Sequence, residues 1–149
     1  MMNKGELIPD FRLKNANGEW VDVKKSDCRK RLIYFYPMDQ TQECIKQACS
    51  LNNWQDDFLD EGYQIIGISS DSVNSHQKFS ARYELNFELL SDPKGKVRKI
   101  FGAFKFFGLL PLRVTYLTNH EGKIIFIYSA LLDGKEHVTK ALDFIKKHN

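Results

Sequence analysis

The chain has 149 residues, the size of one ordinary domain with a hydrophobic core, so we expect a single domain over residues 1–149. The formal net charge is +3 and the basic residues are scattered, which argues against a nucleic-acid partner. No apolar run approaches the roughly 20 residues that cross a bilayer, and the first residues lack the apolar core of a signal peptide. We therefore expect a cytoplasmic protein with no membrane partner.

The N-terminal third predicts a hairpin, a buried strand and a long helix. Two short apolar segments, residues 11–13 and 20–23, flank an Asn-Gly pair at 17–18, which is a strong turn signal. The apolar run at 32–36 predicts a buried strand. Apolar residues at helical spacing then predict one helix from about 43 to 60.

The remaining elements alternate strands with helices. They are predicted as a strand at 63–69, a helix from about 75 to 83 capped by Ser72 or Ser75, a strand at 87–90 at the edge of the sheet, a helix that begins at 91–93 and ends at Gly102, a hairpin of 114–117 and 123–128, and a helix from about 135 to 147. This order predicts an α/β fold in which a central mixed β-sheet is flanked by helices.

Two of the three cysteines, Cys44 and Cys49, lie where the first buried strand gives way to helix. A helix N-terminus carries unpaired N–H groups that stabilise an anion, so the thiol of Cys44 is placed where it ionises readily. In a reducing compartment, two close cysteines are more often catalytic or metal-binding than structural. Cys28 lies outside any motif and is predicted to be a small buried side chain.

These residues resemble a known family, the peroxiredoxins, and within it the bacterioferritin comigratory protein or peroxiredoxin Q group. The family motif Pro-x-x-x-Thr-x-x-Cys is present as Pro37, Thr41 and Cys44, and the group's Cys-x-x-x-x-Cys spacing includes Cys49. The segment that begins at Arg113 is similar to the family's Arg-x-Thr-Phe-Leu. The resemblance covers nearly the whole chain.

The chain also departs from the family pattern. Gln42 stands where relatives usually carry Pro, and Leu117-Thr118-Asn119 replaces a common Leu-Ile-Asp. Neither change touches a reacting atom. The aromatic segment 104–110 departs too, and we expect it to be buried rather than to form a docking patch.

The resemblance implies a thioredoxin-like fold and thiol-dependent reduction of hydrogen peroxide and organic hydroperoxides. Cys44 is then the peroxidatic cysteine, oxidised to a sulfenic acid, and Cys49 the resolving cysteine that forms a disulfide with it. Thioredoxin or a similar dithiol reduces that disulfide. No metal or organic cofactor is implied. Many members of the group are monomers, so we expect a monomer or a weak dimer.

Ionisation of a thiol cannot alone supply the rate of such a reaction. Lowering a thiol pKa from about 8.5 to about 6 raises the thiolate fraction roughly 30-fold but costs roughly 13-fold in nucleophilicity. The larger effect must come from groups that hold the peroxide and stabilise charge on its leaving oxygen. The expected donors are the Thr41 hydroxyl, the Cys44 backbone N–H and the Arg113 guanidinium, while Pro37 shields the sulfur from water.

The disulfide conflicts with an intact helix. Residues five apart on a helix have Cα atoms roughly 8–9 Å apart, beyond the ~7 Å limit for a disulfide. The helix between Cys44 and Cys49 is therefore expected to unwind in each cycle.

Two other functions stay open at this point. A copper chaperone on the same fold would bind Cu(I) with two thiolates and a histidine, but the four histidines show no ligand spacing to the cysteines: His76, His120, His137 and His148. That function also leaves Thr41 and Arg113 without a role. A general disulfide oxidoreductase would carry Cys-x-x-Cys, which the chain lacks.

Overall fold

A seven-stranded mixed β-sheet forms the centre of the computed structural model, which describes residues 1–105 and 110–148. The elements in chain order are β1 (Phe11–Asn15), β2 (Trp20–Val23), β3 (Lys30–Phe35), α1 (Gln42–Asn53), α2 (Gln55–Asp60), β4 (Tyr63–Ser69), α3 (Val73–Tyr83), β5 (Glu88–Ser91), α4 (Lys96–Phe101), β6 (Phe104–Lys105), β7 (Leu110–Pro111), β8 (Val114–Thr118), β9 (Ile124–Ser129) and α5 (Gly134–Lys147). Across the sheet the strands follow the order β2, β1, β5, β4, β3, β8, β9. Strands β6 and β7 pair separately.

The pairing directions confirm the mixed sheet and its N-terminal hairpin. Strand β3 is parallel to β4, and β4 is parallel to β5, because α1 with α2 and then α3 provide the crossovers that parallel neighbours need. Strands β1 and β2 form the predicted antiparallel hairpin, and β8 and β9 form the second. Strand β8 lies antiparallel to β3, which joins the C-terminal hairpin to the centre of the sheet.

Strand β3 is buried on both faces, which explains its continuous apolar sequence. Because side chains alternate along a strand, Leu32, Tyr34 and Tyr36 pack with the helices α1, α2, α3 and α5. Ile33 and Phe35 face the opposite layer, which contains α4. The end of β3, from which the chain leads to Cys44, is therefore packed between two hydrophobic cores.

The single helix predicted from about 43 to 60 is wrong, because it is broken at Trp54 into α1 and α2. Asn52 and Asn53 precede the break. Asparagine side chains form hydrogen bonds with backbone groups in non-helical conformations, so they favour the ends of helices. The Asn52 side chain donates to the carbonyl of Glu84 at 3.0 Å, which ties this end of α1 to the C-terminal end of α3.

Strand β5 is not an edge strand as predicted, since β1 pairs along its outer side through Lys14–Ser91 and Asn15–Leu90. Helix α4 also begins later than predicted, at Lys96. The Asp92 carboxylate reaches forward to accept the backbone N–H groups of Val97 and Arg98 at 3.2 and 2.9 Å. Asp92 therefore caps the first turn of α4, although the helix itself begins four residues later.

The predicted burial of the segment 104–110 falls largely outside the described residues. Of its described ends, Phe104 is half-buried and Leu110 is exposed. None of the described helices is both long enough and apolar enough to cross a membrane.

Helix α5 packs closely on α1 at its first residue, Gly134. The Glu43 side chain accepts the backbone N–H groups of Asp133 and Gly134 at 3.1 and 3.0 Å, so a residue of α1 satisfies the start of α5. A Cβ atom at position 134 would lie 2.3 Å from the Glu43 carbonyl oxygen and 2.8 Å from the Gln47 Cβ. Only glycine permits this approach.

We predict that Gly134→Ala lowers the free energy of unfolding by about 1–3 kcal/mol, because the added methyl group meets backbone that cannot yield cheaply. Urea unfolding followed by circular dichroism measures this. The matched control is Lys135→Ala at the exposed next position, which should change stability by less than about 0.5 kcal/mol. Equal stability of the two variants would contradict the close contact.

Candidate active site

The first turn of α1 carries Cys44, whose side chain is only 2% exposed. Strand β3 ends at Phe35, and a short loop that contains Pro37 leads to Thr41, the residue that precedes the helix. The backbone N–H groups of this first turn have no acceptor within the helix. Cys44 therefore lies at the N-terminus of a helix, the position predicted for it from the sequence.

The Thr41 side chain does not cap α1. Its hydroxyl donates to the Met38 carbonyl oxygen at 2.9 Å, across the loop. We expected this hydroxyl to donate to a peroxide, but its proton is already engaged in this conformation. Its oxygen is left as an acceptor, which suits the O–H group of a hydroperoxide.

Arg113 reaches the sulfur directly. It precedes β8, whose Val114 pairs with Phe35 at the end of β3, so the strand register brings Arg113 beside the start of the Cys44 loop. Its Nη2 lies 3.2 Å from the Cys44 Sγ. Two further bonds fix the guanidinium, from Nε to the Leu131 carbonyl at 2.9 Å and from Nη1 to the Gln47 Oε1 at 2.7 Å. The positive charge is therefore held in one place against the sulfur.

A buried hydrogen-bond chain continues behind the guanidinium, and sequence reasoning missed it. The Gln47 Nε2 lies 3.4 Å from the Thr115 hydroxyl, which lies 2.9 Å from the His137 Nδ1. The His137 Nε2 lies 2.7 Å from the Ala130 carbonyl. A signal for Gln47 was available, because it lies three residues after Cys44 on the same helical face.

Burial lowers the pKa of His137 to about 4, an effect that its bond to Ala130 partly opposes and the charge of Arg113 reinforces. The imidazole is therefore neutral at physiological pH. The neutral ring has one nitrogen with a proton and one with a lone pair, and the two nitrogens face Ala130 and Thr115.

Two carboxylates near the cysteine point elsewhere. The Asp39 carboxylate accepts the Tyr36 hydroxyl at 2.5 Å and the Ser75 hydroxyl at 2.9 Å, and it lies 2.6 Å from the His76 Nδ1. This buried network ties the Pro37 loop to α3. Glu43 is engaged with α5, and its pKa is held below the usual value chiefly by the backbone N–H of Gly134.

Pro37 is half-buried at the start of the loop, where its ring fixes the backbone. The carbonyl of the preceding Tyr36 accepts a hydrogen bond from the Arg98 guanidinium, a group that is 1% exposed. Sequence reasoning missed this anchor as well. The loop is therefore held at its first residue by α4 and at Asp39 by α3.

The two remaining cysteines differ in environment. Cys49 lies within the unbroken α1, half-buried, and burial raises the pKa of its thiol. Neither Cys44 nor Cys49 is in a disulfide in this structure. The prediction that Cys28 is buried is wrong, because it follows a 3-10 turn in a left-handed conformation, with φ of 53°, at the surface.

One group of potential metal ligands occurs within residues 1–105 and 110–148: Asp39, Asp71 and His76. It includes neither cysteine of the candidate site. Both ring nitrogens of His76 are occupied, Nδ1 by Asp39 and Nε2 by the Leu90 carbonyl at 3.0 Å. This cluster therefore does not supply the histidine that a copper site with Cys44 and Cys49 would need.

The chain is similar to known proteins in both its sequence and its fold. The AhpC/TSA family model matches residues 4–127. The chain is 40% identical over 146 residues to the chloroplastic peroxiredoxin Q of Arabidopsis thaliana, covering 97% of this chain and 68% of that protein.

Two solved structures are similar throughout. The peroxidoxin BcpB of Mycobacterium tuberculosis has a TM-score of 0.90 and 27% identity, covering 100% of this chain and 99% of that one. The bacterioferritin comigratory protein of Xanthomonas campestris has a TM-score of 0.84 and 27% identity, covering 93% and 91%. The fold is therefore thioredoxin-like. The chain belongs to the AhpC/TSA family, and within it to the peroxiredoxin Q or bacterioferritin comigratory protein group of peroxidases.

Proposed function

We propose that the protein reduces hydrogen peroxide and organic hydroperoxides at Cys44, that Cys49 resolves the product, and that a thioredoxin-type dithiol completes the cycle. The observation that carries this proposal is the Arg113 guanidinium, 3.2 Å from the Cys44 sulfur and fixed by two further bonds. The reported alkyl peroxide reduction by the similar Xanthomonas campestris protein supports organic hydroperoxides as a substrate class.

The first step transfers one oxygen atom. The Cys44 thiolate attacks the outer oxygen of the hydroperoxide, an S–O bond forms and the O–O bond breaks. The sulfur becomes a sulfenic acid that keeps the hydroperoxide hydrogen, and the leaving oxygen takes a proton from solvent to depart as alcohol or water. The Thr41 oxygen accepts the hydroperoxide O–H, and the Cys44 backbone N–H donates to an oxygen of the substrate.

Arg113 assists this step because negative charge moves from the sulfur to the leaving oxygen as the O–O bond breaks. Two unit charges 3.2 Å apart attract by about 5 kcal/mol at an effective dielectric constant of about 20, before any desolvation cost. That attraction also stabilises the resting thiolate, and only the part that grows in the transition state accelerates the reaction. A guanidinium has five N–H donors in a plane, so it can hold the sulfur and the leaving oxygen together.

The second step requires α1 to open. Cys44 and Cys49 lie on one continuous helix, where their Cα atoms are too far apart for a disulfide. Unwinding the first turn breaks the backbone bond from Ile45 to Thr41 and withdraws Glu43 from the start of α5. The Cys49 thiolate then attacks the sulfenic sulfur, a disulfide forms, and the hydroxyl group leaves with a proton as water.

The reductant acts on this opened form. A dithiol attacks the disulfide by exchange and is itself oxidised to a disulfide, which returns both cysteines to thiols. A reducing compartment such as the cytoplasm keeps such a dithiol supplied, and we propose that the protein works there as a monomer in a single domain. No metal or organic cofactor takes part in these steps.

We predict that Cys44→Ser abolishes peroxide consumption coupled to thioredoxin, thioredoxin reductase and NADPH, because the nucleophile is lost. Cys49→Ser should undergo one oxidation per chain and then cycle at least about tenfold more slowly with thioredoxin. Cys28→Ser is the matched control, since this exposed thiol lies outside the site, and it should keep the wild-type rate. Turnover by Cys44→Ser would contradict the proposal.

We also predict that disulfide formation accelerates with pH. The thiolate of Cys49 is the attacking form, and an ordinary cysteine thiol is mostly protonated at neutral pH. In the closed helix, burial raises the pKa of Cys49 further. Between pH 6 and 8 the rate should rise by up to about tenfold per pH unit. Stopped-flow mixing with one equivalent of peroxide, followed by acid trapping, measures it. A rate that is flat over this range would show that another event limits resolution.

A further inference from the structure

We propose that Thr115 and His137 are positioning residues for Arg113, and that they act by fixing the orientation of the Gln47 amide. This inference rests on the proposed function, because it concerns the geometry of the guanidinium that the peroxide step uses. Neither residue touches the sulfur. They connect to it through Gln47 and then Arg113, across β8, α1 and α5.

The hydrogen-bond chain has only one self-consistent direction. The Ala130 carbonyl can only accept, so the His137 Nε2 carries the proton. In the neutral ring Nδ1 then has only a lone pair, and the Thr115 hydroxyl must donate to it. The Thr115 oxygen is thereby left to accept from the Gln47 Nε2.

This direction determines what faces Arg113. With its NH2 group committed to Thr115, the Gln47 amide presents its oxygen to the Arg113 Nη1 at 2.7 Å. A flipped amide would place an NH2 group against the guanidinium, where two donors would meet. The neutral His137, through Thr115, therefore favours the same orientation of the Gln47 amide that Arg113 needs.

Burial makes this orientation selective. Gln47 and Thr115 are 1% exposed, and His137 is fully buried, so water cannot substitute readily for a lost partner. A buried polar group without a partner costs more than the hydrogen bond itself contributes. Apolar side chains could fill the space of these three residues without any risk of an unpaired polar group. Packing alone therefore does not explain why the side chains here are polar.

The test is Thr115→Val, which keeps the shape of the side chain and removes the hydroxyl. Gln47 then loses the acceptor that orders its amide, and Arg113 loses a fixed partner. We expect the second-order rate of Cys44 oxidation by hydrogen peroxide, measured by stopped flow, to fall about tenfold. Thr115→Ser restores the hydroxyl and should react within about twofold of wild type.

The matched control is Thr118→Val on the same strand. Thr118 is equally buried, but its hydroxyl faces the Arg31 carbonyl and not this chain. It should react within about twofold of wild type. An equal loss in both valine variants would show a general effect of β8 packing and would overturn the inference.

A double-mutant cycle separates positioning from a direct role. In an Arg113→Gln background, Thr115→Val should cause no further loss, because the group that it positions is absent. The same tenfold loss in that background would overturn the inference. Circular dichroism and the urea midpoint establish that each variant is folded.

Substitutions of His137 provide a second route if Thr115→Val does not fold. His137→Asn places an oxygen near the Nδ1 position and can still accept from Thr115, whereas His137→Gln keeps a donor near Ala130 and loses that acceptor. We expect His137→Gln to be about tenfold slower than His137→Asn. Equal rates would overturn the inference. A wild-type protein that does not react with peroxide would instead defeat the proposed function itself.

Discussion

A buried guanidinium against a buried sulfur is the constraint on which the site depends. Arg113 is 2% exposed and Cys44 is equally buried, so the guanidinium must find its hydrogen-bond partners inside the protein. An unpaired buried charge is strongly destabilising, and the protein satisfies this one with the Cys44 sulfur, the Leu131 carbonyl and the Gln47 amide. These three acceptors come from α1 and from the segment between β9 and α5. The positions of those elements are therefore part of the chemistry.

Helix α1 has two opposing tasks in the proposed cycle. It must hold Cys44 and Gln47 in place while the peroxide reacts, and it must then unwind so that Cys49 can reach the sulfenic acid. The hydrogen bonds that tie its first turns to their surroundings include those between Glu43 and the start of α5 and between Arg113 and Gln47. Each involves a charged group and contributes about 1.5–3 kcal/mol net. A small number of bonds of this size permits both a defined resting site and local opening.

Local patterns predicted much of this fold, and tertiary contacts account for what they missed. The two hairpins, β3, β4 and α5 follow from turn signals and apolar periodicity, and the motif of Pro37, Thr41 and Cys44 is contiguous. The inner position of β5 depends on pairing with the distant β1, which no local signal encodes. Thr115 and His137 meet only because β8 and α5 pack together, so their joint role was invisible in the sequence.

The most direct test of the account compares two reactions of Cys44 in Arg113→Gln. Iodoacetamide alkylation reports how nucleophilic the sulfur is, whereas hydrogen peroxide reduction also needs the leaving oxygen to be stabilised. We predict that the peroxide rate constant falls by at least about 100-fold and the alkylation rate constant by less than about tenfold. Equal losses in the two reactions would show that Arg113 only ionises the thiol, and would contradict the account.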